Sequence, residues 1–125
     1  MSDAISQLEP KIVFDFFSQI LAIPRCSGRE EAIRSHFVGI ARDRGWEPIV
    51  DDVGNLVIKV PASPGKEDSP VIVLQGHLDM VCEKNNDVDF DFETEGIRAV
   101  VTGSKMKAQG TTLGADNGIG LALAL

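Results

Sequence analysis

The run Val71-Ile72-Val73-Leu74 passes directly into Gln75-Gly76-His77-Leu78-Asp79-Met80-Val81. A short continuous apolar run of this kind predicts a strand covered on both faces. Such a strand needs a layer on either side, which constrains the chain towards an α/β arrangement, and this one ends on a polar His-x-Asp. A second polar cluster, Gly114-Ala115-Asp116-Asn117-Gly118, opens a predicted helix further along. Two turns of this type can present an imidazole and carboxylates at one edge of a sheet, an arrangement that suits a metal-dependent hydrolase.

The remaining elements follow from periodicity and punctuation. Ile12, Val13, Phe16, Phe17, Ile20 and Leu21 fall at helical spacing, predicting a helix from Pro10 to Ile23 that Pro24 stops. Ser27-Gly28-Arg29-Glu30 has the form of a capping box for a second helix running to about Arg44, with Ala32, Ile33, Phe37, Ile40 and Ala41 facing inward and Gly45 just past its end. Residues 46–52 and 55–60 read as a hairpin across Val53-Gly54, and residues 61–70 as a loop. Residues 97–102 and 105–108 form a further candidate hairpin across Gly103-Ser104. From Asn117 to Leu125 the sequence reads as the start of a buried helix with no polar face and no C-cap. Helices, then closely connected strands, then a helix predict α/β with a mixed sheet. The last helix reads as truncated, so residues 1–125 are expected to be the front part of a larger catalytic domain.

Composition narrows the function. The net charge of −7 and pI near 4.7 oppose binding to a phosphate backbone, which needs a basic patch. No apolar stretch approaches the ~20 residues of a membrane span, and Met1-Ser2-Asp3-Ala4 lacks the start of a signal peptide. Cys26 and Cys82, without CxxC spacing, read as two reduced, partly buried thiols in a cytosolic protein.

His77 and Asp79 leave an extended segment on the same face. A neutral His gives one ring nitrogen to a metal, and a nearby carboxylate commonly takes the other. Taken alone, the pair is a weak signal that reads first as a surface His and Asp at a strand end. Asp116 stands among small residues that let backbone approach a site closely. Its carboxylate suits a metal bridge, or the N-cap of the last helix. Asp87, Asp89 and Asp91 resemble the start of a calcium loop, but Phe92 replaces the turn glycine and Arg98 the closing acid. Gly118-x-Gly120 lacks the third glycine of a dinucleotide turn, and His36 reads as a surface or half-buried helix residue.

Taken together, the segments Leu74–Val81, Lys84-Asn85-Asn86-Asp87 and Gly110-Thr111-Thr112-Leu113-Gly114-Ala115-Asp116-Asn117-Gly118-Ile119-Gly120 resemble the aminoacyl-histidine dipeptidases, carnosinase-like members of the di-zinc peptidases. The resemblance implies a three-layer α/β/α zinc-peptidase catalytic domain, present here in its N-terminal part, and cytoplasmic hydrolysis of short peptides, above all Xaa-His dipeptides. It implies that His77 is a zinc ligand, that Asp79 holds the His77 ring and supports catalysis, and that Asp116 bridges two zinc ions, with Co2+ or Mn2+ as substitutes. It further implies a cis bond at Asp116-Asn117. The general base, the other ligands and a lid domain that could support a homodimer are expected outside this chain. Other readings are a tripeptidase or N-acyl amino acid deacylase of the same superfamily, or a non-catalytic interaction domain. Two ligands do not close a catalytic zinc site. The 125-residue chain, assayed with zinc and a Xaa-His dipeptide, is therefore expected to show no turnover above a metal-only blank; clear turnover would contradict that expectation.

Overall fold

The computed structural model describes residues 4–125. They form two compact units, one made of the chain up to Ile33 together with Gly76–Leu125, the other of Arg34–Gln75. The elements in chain order are a 3-10 turn (Ile5–Gln7), α1 (Lys11–Leu21), α2 (Glu31–Asp43), β1 (Glu47–Val50), β2 (Leu56–Lys59), β3 (Ala99–Thr102), β4 (Lys105–Ala108) and α3 (Ala115–Ala124). Two helices precede the four short strands and a third follows them, which makes an α/β chain. The two ladders are antiparallel, β1 with β2 and β3 with β4, and a parallel bridge joins Cys26 to Met80. No helix among the described residues is long and apolar enough to cross a membrane.

In the first unit α1 packs on α3 and on the 3-10 turn. Phe17, Ile20 and Leu21 of α1 are buried with Ile5, Met80, Phe90, Ile97, Ala99, Leu121 and Ala122. The apolar stripe is narrower than the periodicity suggests, since Ile12 is 62% exposed. Pro10 is the N-cap of α1, one position before the first helical turn, and its carbonyl accepts the amides of Val13 and Phe14. Ile97 N–H donates to Leu21 O at 2.8 Å, tying the end of α1 to the entry of β3. Gly96 permits this approach, because a Cβ there would meet the Ala22 Cα at 2.8 Å. The β3–β4 hairpin turns at Gly103, whose φ of 58° is the left-handed value the turn needs.

In the second unit Phe37 and Ala41 of α2 are buried. The helix ends in a Schellman motif: Trp46 N–H reaches Ala41 O, Gly45 N–H reaches Arg42 O, and Gly45 has φ 71°. β1 and β2 pair in register Glu47↔Lys59 to Val50↔Leu56. The Asp51 carboxylate closes their turn by accepting the Val53 and Asn55 amides and the Asn55 side chain. Those bonds, the Asn55 side-chain bond first, hold the Asp51 carboxyl below its ordinary range.

Three expectations are corrected. Val71–Leu74 forms no strand: the four side chains are 91, 84, 79 and 70% exposed, and the segment has no ladder among the described residues. Each hairpin strand pairs with its own sequence neighbour, so none of these ladders includes this run. Ser27-x-x-Glu30 is not a capping box. The helix begins later, at Glu31, the Ser27 hydroxyl is drawn to Asp79, and Glu30 accepts the Gly28 amide. Ala32, expected inward, is exposed, while Ile33 beside it is fully buried.

Ile20, with no exposed surface, and Ile12 lie on one helix and differ in burial. Ile20→Ala should cost about 2–5 kcal/mol in urea denaturation through transfer and cavity terms, whereas Ile12→Ala should stay within about 0.5 kcal/mol. Equal losses at the two positions would contradict this packing.

Candidate functional site

Two tracts of the first unit come together because residues 81–85 run alongside residues 110–112. Asn85 N–H donates to Gly110 O, Thr112 N–H to Glu83 O, and the Thr112 hydroxyl to Val81 O at 2.7 Å, around a Lys84↔Thr111 bridge. The residues just before the first tract and just after the second, 77–79 and 114–116, therefore share one place.

The segment Arg25–Ser27 supports the first tract. Met80 N–H donates to Arg25 O at 3.0 Å and Ser27 N–H to Met80 O at 3.3 Å. The Ser27 hydroxyl donates to the Asp79 carboxylate. Cys26 and Cys82 are joined in a disulfide with a Cα–Cα distance of 5.6 Å, which corrects the expectation of two reduced thiols. The bridge between Cys26 and Met80 places Cys82 within reach of Cys26, a proximity invisible in their spacing. Their sequence separation is 56 residues, and closing a loop of that size is worth about 4 kcal/mol on the chain-entropy account.

On the second tract, Gly114 is the N-cap of α3 with φ 76°, and Gly118 N–H donates to Gly114 O at 3.1 Å. Asp116 and Asn117 interrupt the helix with φ/ψ of −91°/107° and −110°/31°, and the bond between them is cis, as the resemblance implied. The Asp116 backbone is extended at this kink, and its carboxylate faces His77. Gly76 leaves room for this turn, since a Cβ there would lie 2.6 Å from the Asn117 side-chain nitrogen.

The result is a histidine between two carboxylates. His77 Nδ1 lies 3.0 Å from Asp79 Oδ1 and 3.0 Å from Asp79 O, and His77 Nε2 lies 2.9 Å from Asp116 Oδ1. The His77 side chain is half exposed and the Asp116 side chain almost wholly so, leaving the cluster open to solvent. A neutral imidazole has one N–H and one lone pair. When Nδ1–H serves Asp79, the Nε2 lone pair faces an acidic oxygen. That contact is favourable when a proton or another cation shares it.

The Asp116 bond, opposed by partial desolvation and aided by Asp79, raises the His77 pKa above its ordinary value. The Ser27 hydroxyl first, then His77, lowers the pKa of Asp79. The described residues contain no cluster of three or more His, Cys, Asp or Glu side chains able to hold a metal, so His77 and Asp116 alone would make an incomplete ligand set. That set has the right chemistry for zinc: one imidazole nitrogen and one carboxylate, with the other ring nitrogen fixed by an acid.

His36 lies elsewhere, on α2. Its Nε2 is buried without a hydrogen-bond partner among the described residues, and burial lowers its pKa. Two residues of the cluster's support carry no long-range signal in the sequence. Ser27 fits a capping pattern, and Arg25 fits none. Its guanidinium is 1% exposed and donates to Leu78 O at 2.9 Å, to Asp79 O at 3.0 Å and to Gly114 O.

Because the folded state favours protonated His77, its stabilising contribution is complete below the unfolded pKa of ~6.5 and is lost as pH rises through the higher folded value. An NMR titration of the metal-free chain should give a His77 pKa above ~6.5, and Asp116→Asn should lower it. An unchanged pKa in that variant would contradict the Nε2–Asp116 contact.

No protein-family profile matches the chain. It is 47% identical over 121 residues to the cytosol non-specific dipeptidase of Escherichia coli (strain K12), an alignment covering 97% of this chain and 25% of the relative. It matches the crystal structure of the aminoacylhistidine dipeptidase from Vibrio alginolyticus with a TM-score of 0.92 and 45% identity, over 96% of this chain and 24% of that one. The chain thus spans about a quarter of the length of the relatives it matches. Over that quarter it is similar in sequence to the cytosol non-specific dipeptidase and in sequence and fold to the aminoacylhistidine dipeptidase.

Proposed function

We propose that residues 1–125 form part of the catalytic domain of a zinc-dependent dipeptidase, with His77 and Asp116 as metal ligands and Asp79 as the acid that fixes the His77 ring. The observation that carries this reading is the 2.9 Å approach of His77 Nε2 to Asp116 Oδ1, with Nδ1 taken by Asp79. It aims one imidazole nitrogen and one carboxylate oxygen at the same point, which a cation between them would satisfy. Bound zinc supplies Lewis acidity for a peptide carbonyl and lowers the pKa of a bound water to about 7.

This chain's own residues have narrower tasks. Asp79 accepts Nδ1–H, leaving Nε2 as a lone-pair donor, and makes the ring more basic. Ser27 keeps Asp79 ionised and pointed at the ring. Asp116 contributes negative charge and stays accessible. A catalytic zinc takes three protein ligands plus water, of which His77 and Asp116 account for two. Co2+ and Mn2+ belong to the same proposal as substitutes.

The substrate we propose is a short peptide. The Vibrio structure favours aminoacyl-histidine dipeptides, and the Escherichia coli relative, named non-specific, favours a wider range of dipeptides. That relative's name also supports a cytoplasmic setting. There the Cys26–Cys82 disulfide would stand in exchange with its dithiol form.

A chimera tests the proposal: this chain replaces the matched quarter of the Escherichia coli dipeptidase. The chimera should hydrolyse a Xaa-His dipeptide with zinc. Asp79→Ala should lower kcat/KM by about 10–100-fold, the usual cost of losing a metal-orienting partner, and His77→Ala should lower it further. Full activity in His77→Ala would overturn the proposal.

A further inference from the structure

We infer that Arg25 is a positioning residue for the cluster: its buried guanidinium sets the distance between His77 and Asp116 by holding the backbone on both sides of the site. Nη1 donates to Leu78 O and Asp79 O, the two residues following His77, and Nη2 donates to Gly114 O, two residues before Asp116. Each side chain of the Arg25–Ser27 segment makes a tie to the site's surroundings. Cys26 reaches Cys82 and Ser27 reaches Asp79, both on the first tract. Among the described residues of this segment, the Arg25 side chain is the one that also reaches the second.

A guanidinium with 1% exposure is an expensive strut, because a charge removed from water must recover its hydration from fixed partners. Here the partners are carbonyl oxygens, with the Asp79 charge nearby as the opposing field. The second tract is shaped around this group. A Cβ at Gly114 would lie 2.6 Å from Nη2, and one at Gly118 would lie 2.8 Å from it. Both glycines flanking Asp116 therefore leave space for the same nitrogen. The planar fork spans carbonyls on two separate segments, and the single ammonium of a lysine cannot reproduce that span.

The inference stands on geometry, and only its zinc readout rests on the proposed metal role. The full 125-residue chain is compared with Arg25→Lys and Arg25→Met. The first variant keeps the charge without the planar fork, and the second removes the charge and leaves the three carbonyls without their donor; the β3–β4 hairpin reports whether each is folded. Ile97→Ala, a buried position of the same unit that the cluster does not use, serves as the control for general destabilisation.

In the metal-free chain, the nuclear Overhauser effect between the His77 ring and the Asp116 β-protons should disappear in the Arg25 variants. The β3–β4 cross-strand effects should persist. The dissociation constant for zinc should rise at least ~10-fold, as for loss of an orienting partner. Ile97→Ala should leave both readouts at wild-type values. Retention of the His77–Asp116 effect in a folded Arg25 variant would overturn the inference. So would an equal loss in Ile97→Ala, which would mark Arg25 as merely structural. If the wild-type chain takes up no zinc, the metal reading fails and the metal-free comparison alone decides for Arg25.

Discussion

A buried guanidinium must find oxygen, and Arg25 finds it on both sides of the site at once. Much of the local structure answers to that requirement. The segment after Pro24 runs beside Met80, so that Arg25 can turn inward while its own carbonyl accepts the Met80 amide. Gly114 takes a left-handed φ and Gly118 stays bare, because side chains there would strike the guanidinium. Phe17 and Ile20 of α1 close over Gly118 from the other direction, which links the packing of the first helix to the geometry at Asp116. Core and site thus share the same contacts.

The cluster itself is built for a positive charge. Asp79 and Asp116 present oxygens to the two nitrogens of one ring, and a neutral ring cannot donate to both. A proton meets the need in one state, which is why the His77 pKa is raised. A metal ion would meet it in another, in competition with that proton. The openness of Asp116 leaves this second possibility unobstructed.

Local signals were legible in the sequence and long-range ones were not. α1, the body of α2, both hairpins and the turn glycines Gly45 and Gly103 were readable from periodicity and turn chemistry, which operate over a few residues. His77, Asp79 and Asp116 stood out because polar residues followed apolar or glycine-rich runs, and the structure brings all three together. The failures involve partners far apart in the chain. Ser27 fits a local capping pattern but bonds Asp79 instead. Cys26 and Cys82 become neighbours only through the bridge at Met80. Arg25 has no periodic or motif signature, since its partners are main-chain carbonyls that any residue carries. Val71–Leu74 shows the reverse case: its composition is that of a covered strand, but composition does not supply a partner.

The central claim is that His77 and Asp116 are aimed at one cation, and X-ray absorption at the zinc edge of the zinc-loaded chain tests it most directly. The account predicts a shell of nitrogen and oxygen containing an imidazole, free of sulfur, whose imidazole signal is lost in His77→Ala. Sulfur scattering from Cys26 or Cys82, or the same spectrum with and without His77, would contradict it.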